Sequence, residues 1–177
     1  MSIPISKFSN AAFPDAFGLI GGNVSVTGLS EKSKQGDSVY KEYFRRLNEG
    51  TPALDIQNCP DLAPVLMAVA ALKNGATFEN TARLRYKESD RGNAMKEELE
   101  KFGCSVTVEE NIITVKKSAL HFPTSSLSSH NDHRIAMALS VICSVTGGAI
   151  TGAEAVNKSY PNYWKDLEKL GIEVKNE

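Results

Sequence analysis

The spacing of apolar residues along the chain predicts six helices. One stripe of the segment 89–102 carries apolar residues at the helical period: Ala94, Met95, Leu99 and Phe102. We expect Ser89 to cap the start of this helix and Gly103 to end it. Similar patterns predict further helices over 11–20, 37–48, 61–73, 132–146 and 160–170.

Short strands are expected between these helices. Residues 105–108 and 112–115 are rich in β-branched side chains and flank Glu109-Glu110-Asn111, which predicts a β-hairpin. Because this hairpin follows a helix while strands and helices otherwise alternate, the sheets should be mixed rather than purely parallel. The fold class is therefore α/β in composition, with the mixed sheets of an α+β protein.

Three segments look like copies of one unit. Each begins with an apolar helix, followed by a glycine turn, a short strand, a polar loop, an amphipathic helix and a closing glycine. From the glycine turn to the closing glycine, the three copies cover 21–50, 75–103 and 147–171. Glycine ends many helices without any repetition. Three ordered matches of the whole pattern nevertheless favour a domain built from repeated supersecondary units.

Composition narrows the class of protein. The 177 residues fit one domain over 1–177, with 41% apolar and 23% charged residues. A net charge of −1 argues against a general nucleic-acid binder or a membrane-surface protein. No apolar run is long enough to span a bilayer, and residues 1–6 lack a secretory pattern. The scattered Cys59, Cys104 and Cys143 suit reduced thiols, so we expect a cytoplasmic protein without a zinc site.

The segment 83–91 is the most informative candidate for chemistry. It places six charged residues among nine at a predicted strand-to-helix junction. The helix dipole disfavours a cation in the first turn, so Arg91 indicates a nearby anion, either Glu88 or a bound ligand. The alternative is a solvated loop whose charges pair locally, and composition leaves the two interpretations equally open.

A second segment, 129–134, also brings charges to a predicted helix start. Asn131 or Asp132 can cap the helix, and Arg134 beside the helix start fits an anion pocket. The alternative is that Asp132 only caps the helix while Arg134 pairs with it. His130 and His133 lack the companions that a zinc site needs.

Two further positions complete the pattern. Lys158 stands just before a helix that Pro161 should open, at a comparable point of the repeat. Asp61 begins another helix, where a carboxylate can simply stabilise the dipole. Repeat symmetry would bring such loops to one end of the domain, and we expect an electropositive hollow there for a phosphate or carboxylate ligand. Its carboxylates would be available for proton transfer.

Four ordered motifs carry a family resemblance: Pro60-Asp61, Lys87-Glu88-Ser89-Asp90-Arg91, Asn131-Asp132-His133-Arg134-Ile135-Ala136-Met137 and Lys158-Ser159-Tyr160-Pro161. Together they resemble the 5-enolpyruvylshikimate-3-phosphate synthase family over nearly the whole chain. Val26-Thr27-Gly28 and Gln35-Gly36-Asp37 also look like that family. The related enolpyruvyl transferase acting on UDP-N-acetylglucosamine is less similar.

The resemblance implies an inside-out barrel domain with a pseudo-three-fold repeat of βαβαββ units. In the family two such domains face each other, and this chain matches the C-terminal one only. We therefore expect 1–177 to be one enolpyruvyl-transferase-type domain, a fragment whose missing partner is the N-terminal domain of the same enzyme. The first unit should be irregular near 1–13. A monomer is expected.

The resemblance also implies a reaction. The enolpyruvyl group of phosphoenolpyruvate moves to the 5-hydroxyl of shikimate-3-phosphate, phosphate is released, and no metal or organic cofactor is needed. The implied catalytic residues are Asp61 and Glu88, with His133 nearby. The implied ligands of shikimate-3-phosphate are Asp61, Lys87 and Arg83, and those of phosphoenolpyruvate are Arg91, Arg134 and Lys158. The alternative function is a non-catalytic anion-binding module.

Overall fold

The computed structural model describes residues 2–5, 7–22, 24–29 and 36–175. The helices in this part of the chain are α1 (Phe8–Leu19), α2 (Tyr40–Glu49), α3 (Ala63–Leu72), α4 (Arg91–Lys101), α5 (His133–Thr146) and α6 (Tyr163–Lys169). The strands are β1 (Ser2–Pro4), β2 (Ser25–Thr27), β3 (Ala53–Asp55), β4 (Gly75–Glu79), β5 (Val106–Val108), β6 (Ile112–Lys116), β7 (Leu127–Ser128) and β8 (Ile150–Thr151). All six predicted helices are confirmed. Short 3₁₀ turns at Gly36–Val39 and Pro60–Leu62 precede α2 and α3, which explains why these helices begin later than expected.

The strands form three small sheets. The central sheet has the order β3-β4-β6-β5, and two-stranded sheets β1-β2 and β7-β8 accompany it. β4 pairs parallel with β3 and antiparallel with β6, so the central sheet is mixed as predicted, whereas β1-β2 and β7-β8 pair in parallel. β5 and β6 form the expected antiparallel hairpin. In each sheet a parallel pair is joined through a helix, which is the βαβ arrangement.

The three repeats are recognisable in the order of elements. The middle repeat, β3-α3-β4-α4-β5-β6, is a complete βαβαββ unit. The outer repeats, β1-α1-β2-α2 and β7-α5-β8-α6, show the βαβα part of that unit within the described residues. Asn23 of the first repeat and Gln35 of the Gln35-Gly36-Asp37 motif lie outside the described residues.

The core lies between the three helices that join the parallel strands. α3 is buried from Ala63 to Ala71, and α5 is buried from His133 to Ile142. α3 packs against α5, and α1 packs against both. A helix that is apolar all round needs partners on every side, which is why α3 lies at the centre.

Local details at the helix ends differ from the predictions in two places. Asp90, not Ser89, caps α4, since its Oδ1 accepts the backbone N–H of Asn93 at 3.2 Å. The Ser89 hydroxyl donates instead to Asp132 Oδ2 at 3.0 Å. Pro161 does not open α6, which begins at Tyr163 with Asn162 as its N-cap residue. Gly103, at φ +84°, provides the left-handed turn that ends α4 as expected.

Helix length and cysteine pairing add two facts. α5 has 14 residues and extends about 21 Å, less than the apolar thickness of a bilayer. In the described part of the chain, none of the helices is long and apolar enough to cross a membrane. Cys59, Cys104 and Cys143 are all free thiols.

Candidate active site

The N-terminal ends of four helices meet at one end of the domain. Arg91, the first residue of α4, contacts Asp61 ahead of α3 and Asp132 ahead of α5. Arg134, in the first turn of α5, contacts Ser9 in the first turn of α1. The expectation that repeat symmetry gathers equivalent loops is therefore confirmed for these residues.

Arg91 is the centre of the cluster and is only 1% exposed. Its Nε donates to Asp132 Oδ2 at 2.8 Å, its Nη1 to Asp61 Oδ1 at 2.8 Å, and its Nη2 to Glu88 Oε2 at 2.6 Å. A planar guanidinium with five donors in a fixed fork can serve three carboxylates at once. The sequence predicted an anion beside Arg91. Glu88 is that anion, and two further carboxylates join it.

Asp132 is completely buried and was predicted only as one of two candidate caps. It caps α5 by accepting the Arg134 backbone N–H at 2.8 Å. Its side-chain counterion is Arg91, however, so the alternative in which Arg134 pairs with it is wrong. Burial alone would raise the pKa of Asp132, but the hydrogen bond and charge of Arg91 outweigh it and hold the pKa below its usual value.

Asp61 lies at the partly exposed side of the cluster. Lys87 Nζ lies 3.0 Å from Asp61 Oδ1, and Arg134 Nη2 lies 3.8 Å from Asp61 Oδ2. Burial opposes ionisation, but the hydrogen bonds from Arg91 and Lys87 lower the pKa of Asp61 to about 2. Asp61 is therefore ionised at neutral pH, and it shares Arg91 with the more exposed Glu88.

Arg134 is 5% exposed and lies against α1. Its Nη1 donates to the Ser9 carbonyl at 2.7 Å and to Asn10 Oδ1 at 3.1 Å, and its Nη2 donates to Ser9 Oγ at 3.0 Å. Burial lowers the pKa of its guanidinium. Its Nε and the Nδ1 of neighbouring His133 are buried without a hydrogen-bond partner among the described residues. Burial and the charge of Arg134 also lower the pKa of His133, which favours a neutral imidazole at pH 7.

Lys158 and Arg83 lie farther from the centre. Lys158 Nζ donates to the carbonyl and the side-chain oxygen of Asn131 at 2.8 and 3.0 Å, so it borders the cluster through the residue preceding Asp132. Arg83 is exposed, and its Nη1 donates to the Gln57 carbonyl at 3.4 Å. The contacts thus join Asp61, Lys87, Glu88, Arg91 and Arg134 directly, bring Lys158 to the edge, and leave Arg83 beside Gln57.

Sequence reasoning assigned no role to three residues that face this cluster. Asp37 is half-buried, and burial together with the charge of Asp61 raises its pKa. Asp37 also interacts with Ser9, whose contacts to Arg134 are described above. Ser9 and Asn10 are each 7% exposed in an otherwise apolar stretch of α1, and this polar pair was the available signal.

The expected electropositive hollow is not what the described residues form. The carboxylates of Asp37, Asp61, Glu88 and Asp132 face the cations of Lys87, Arg91 and Arg134. With Lys158 at the edge, four positive charges stand against four negative ones, so the cluster is charge-compensated. An incoming anion can therefore take the Arg91 donors only in exchange for carboxylates that already hold them, whereas Arg134 Nε has no partner among the described residues.

Comparison with known proteins adds an independent finding. A family model described as EPSP synthase (3-phosphoshikimate 1-carboxyvinyltransferase) matches residues 5–167. Proteins named 3-phosphoshikimate 1-carboxyvinyltransferase from Clostridium acetobutylicum and Clostridium kluyveri are 39% and 36% identical to this chain over 94% of its length. The chain spans 43% of the length of each of these two relatives.

Solved structures agree on the fold. A structure of EPSP synthase from Acinetobacter baumannii superposes with a TM-score of 0.77 at 20% identity. The match covers 94% of this chain and 46% of that one. The family model, these relatives and the shared fold all agree with the four ordered motifs. The chain belongs to the EPSP synthase (3-phosphoshikimate 1-carboxyvinyltransferase) family.

Proposed function

We propose that this chain supplies the phosphoenolpyruvate side of an enolpyruvyl transferase site. The enzyme transfers the enolpyruvyl group of phosphoenolpyruvate to the 5-hydroxyl of shikimate-3-phosphate and releases phosphate, on the route to chorismate and the aromatic amino acids. The observation that carries the proposal is the buried Arg91 guanidinium held between Asp61 and Glu88. That arrangement pairs an anion-binding group with two carboxylates able to carry protons.

Arg91 and Arg134 bind the carboxylate and phosphate of phosphoenolpyruvate, with Lys158 at the edge. Both guanidinium groups are nearly completely buried, so their charge acts at low dielectric and in a fixed orientation. Arg134 Nε, a donor, and His133 Nδ1 have no hydrogen-bond partner among the described residues and could bond to a ligand. Lys87 and Asp61 contact shikimate-3-phosphate, and Arg83 is the outermost candidate for that substrate.

The two carboxylates divide the proton transfers. In the addition step, the 5-hydroxyl oxygen bonds to C2 of phosphoenolpyruvate, Asp61 takes the hydroxyl proton, and Glu88, which enters the step as a protonated carboxyl group, gives its proton to C3. In the elimination step, C3 returns a proton to Glu88, the bond from C2 to the phosphate oxygen breaks, and the departing phosphate takes the proton held by Asp61. With a pKa of about 2, Asp61 is a weak base while Lys87 and Arg91 hold it. Substrate anions that draw these cations away would raise that pKa toward a useful value.

We further propose that the chain works as the C-terminal half of a monomeric, cytoplasmic enzyme. The coverage of 43% of each clostridial relative supports a second half that completes the site. Closure of the two halves would exclude water and bring the substrates together. Three free cysteines agree with a reducing compartment.

Phosphate release from both substrates tests the proposal. The chain is combined with the N-terminal half of the Clostridium acetobutylicum relative, and we expect turnover that Glu88→Gln abolishes. Glu97→Gln is the matched control because Glu97 is 61% exposed on α4, outside the cluster. No turnover by the combined halves, with both folded, would refute the proposal. If anions bind equally well to wild type and Glu88→Gln and no turnover occurs, the chain is an anion-binding module.

A further inference from the structure

A second buried carboxylate, Glu98, lies outside the cluster just described. It is completely buried on α4, seven residues or about two helical turns after Arg91. Lys101 Nζ donates to both of its oxygens at 2.9 Å, the Ser128 backbone N–H donates at 3.0 Å, and His130 Nε2 lies 2.8 Å away. Its partners Ser128 and His130 belong to a turn in the next repeat.

That turn, residues 128–132 between β7 and α5, has an unusual backbone. His130 and Asn131 are consecutive non-glycine residues with φ of +50° and +55°. The left-handed conformation costs roughly 1–2 kcal/mol for most residues, although Asn tolerates it better than His. The hydroxyls of Ser128 and Ser129 accept the backbone N–H groups of His130 and Asn131. Strain of this kind persists only where surrounding contacts fix the conformation.

The turn supports the cations of the proposed site. Asn131 holds Lys158 through two oxygens, and Asp132 holds Arg91. Arg134 follows in the first turn of α5. α4 therefore contacts both ends of the turn: Glu98 bonds to its first residues and Arg91 to its last residue, Asp132.

We propose that Glu98 is a positioning residue, which holds in place the residues that bind phosphoenolpyruvate. Its carboxylate fixes the 128–132 turn in the left-handed conformation. The turn then orients Lys158 and Arg91. The link to phosphoenolpyruvate rests on the proposed function, whereas the coupling between Glu98 and the turn does not. Glu97, Glu98 and His130 place donor atoms within 4.8 Å of one another. Lys101 already supplies the positive charge there, so these contacts favour an anchoring role over a metal site.

The first test is nuclear magnetic resonance of the ligand-free chain with Glu98→Gln. Glu98 makes no hydrogen bond or ion pair with Arg91 or Asn131. We expect the Arg91 Nε–H signal and the Asn131 side-chain amide signals to leave their wild-type positions. Glu97→Gln, on the same helix and also near Lys101, should leave both unchanged. Because no ligand is present, failure of the transferase proposal would not affect this result.

A second variant covers the case in which Glu98→Gln does not fold. His130→Asn keeps a residue that tolerates positive φ but is too short to reach Glu98. His130 is 24% exposed, so its replacement opens no large cavity. It should displace the same signals. Unmoved Arg91 and Asn131 signals in the folded variants would overturn the positioning role.

The second test uses the combined halves. A shift in the turn should lower kcat/KM by roughly 10- to 100-fold, since small misplacements of binding groups cost about that much. We expect the KM for phosphoenolpyruvate to rise while the KM for shikimate-3-phosphate stays within about twofold of wild type. A variant that merely loses stability would not raise the KM for one substrate while leaving the KM for the other unchanged. Displaced signals with an unchanged phosphoenolpyruvate KM would overturn the link to the ligand site.

Discussion

Replacement of Arg91 by methionine tests how the cluster is held together. Arg91 is 1% exposed and Asp132 is completely buried, so Arg91→Met leaves a charged carboxylate inside the protein. Among the described residues, Asp132 would keep only the Ser89 hydroxyl and the Arg134 backbone N–H as donors. Removing one partner of a buried ion pair costs about 3–5 kcal/mol. That loss is a large part of the 5–15 kcal/mol that stabilises a typical domain.

Most of this loss should come from Asp132. Asp61 and Glu88 are 36% and 43% exposed, and such pairs contribute at most about 1 kcal/mol each. In the double variant Arg91→Met/Asp132→Asn the buried charge is gone. We therefore expect it to regain more than half of the lost stability. The gain identifies the buried charge, rather than lost packing, as the main cause.

Urea denaturation at pH 7 measures both variants, and Arg45→Met on α2 is the control. Arg45 also pairs with two carboxylates, Glu42 at 2.7 Å and Glu49 at 2.6 Å, but its side chain is 56% exposed. Its loss should cost less than about 1 kcal/mol. If Arg91→Met destabilises no more than Arg45→Met, the contacts of Arg91 do not carry the energy assigned to them.

Four further predictions concern acid stability, glycine turns, thiol reactivity and ligand binding. The pKa of Asp61 lies at about 2 instead of its ordinary 3.8, so its ion pairs stabilise the fold above pH 3.8 and lose that effect as the pH falls toward 2. After allowance for exposure this contribution is on the order of 1 kcal/mol, and Asp61→Asn should remove it from the acid-denaturation curve. Gly75→Ala should cost more than about 2 kcal/mol in thermal denaturation, because φ is +81° and the added carbon would lie 2.6 Å from the Val115 carbonyl oxygen. Gly171→Ala, with φ +85° and open space, should cost only the backbone strain of about 1 kcal/mol, and equal losses would contradict the clash. Burial raises the pKa of Cys59 and Cys143 to about 12, so a disulfide reagent at pH 8 should label them much faster in urea than in the folded chain. Calorimetry with phosphoenolpyruvate should show weak binding by this chain alone, since half a site leaves the ligand hydrated; tight binding would contradict this.

Patterning along the chain was sufficient for the helices and the hairpin. The apolar stripe of 89–102 and the β-branched arms of 105–115 are local features, and both formed as predicted. The motifs also indicated correctly that Asp61, Glu88, Arg91 and Arg134 come together, because equivalent positions of a repeat meet at one end.

Pairing between distant side chains could not be predicted in the same way. Ser89 and Asp90 are both capping residues, and the choice fell to Asp90 because the Ser89 hydroxyl bonds to Asp132, 43 positions away. The prediction of an electropositive hollow was wrong for the same reason, since Asp37 and Asp132 neutralise cations that are remote in sequence. Glu98 lies between Ala94 and Phe102 on the buried face of α4, and its partners Ser128 and His130 are too remote in sequence to be predicted from the pattern.

Charge compensation in the cluster has a consequence for selectivity. The carboxylates of Asp61, Glu88 and Asp132 already accept the hydrogen bonds that Arg91 can donate. Inorganic phosphate or chloride offers one anionic group and must compete with several carboxylates that are already in position. A ligand with two anionic groups at a fixed separation can displace more than one of these carboxylates in a single binding event. The ion pairs that stabilise the fold would thereby discriminate against the abundant small anions of the cell.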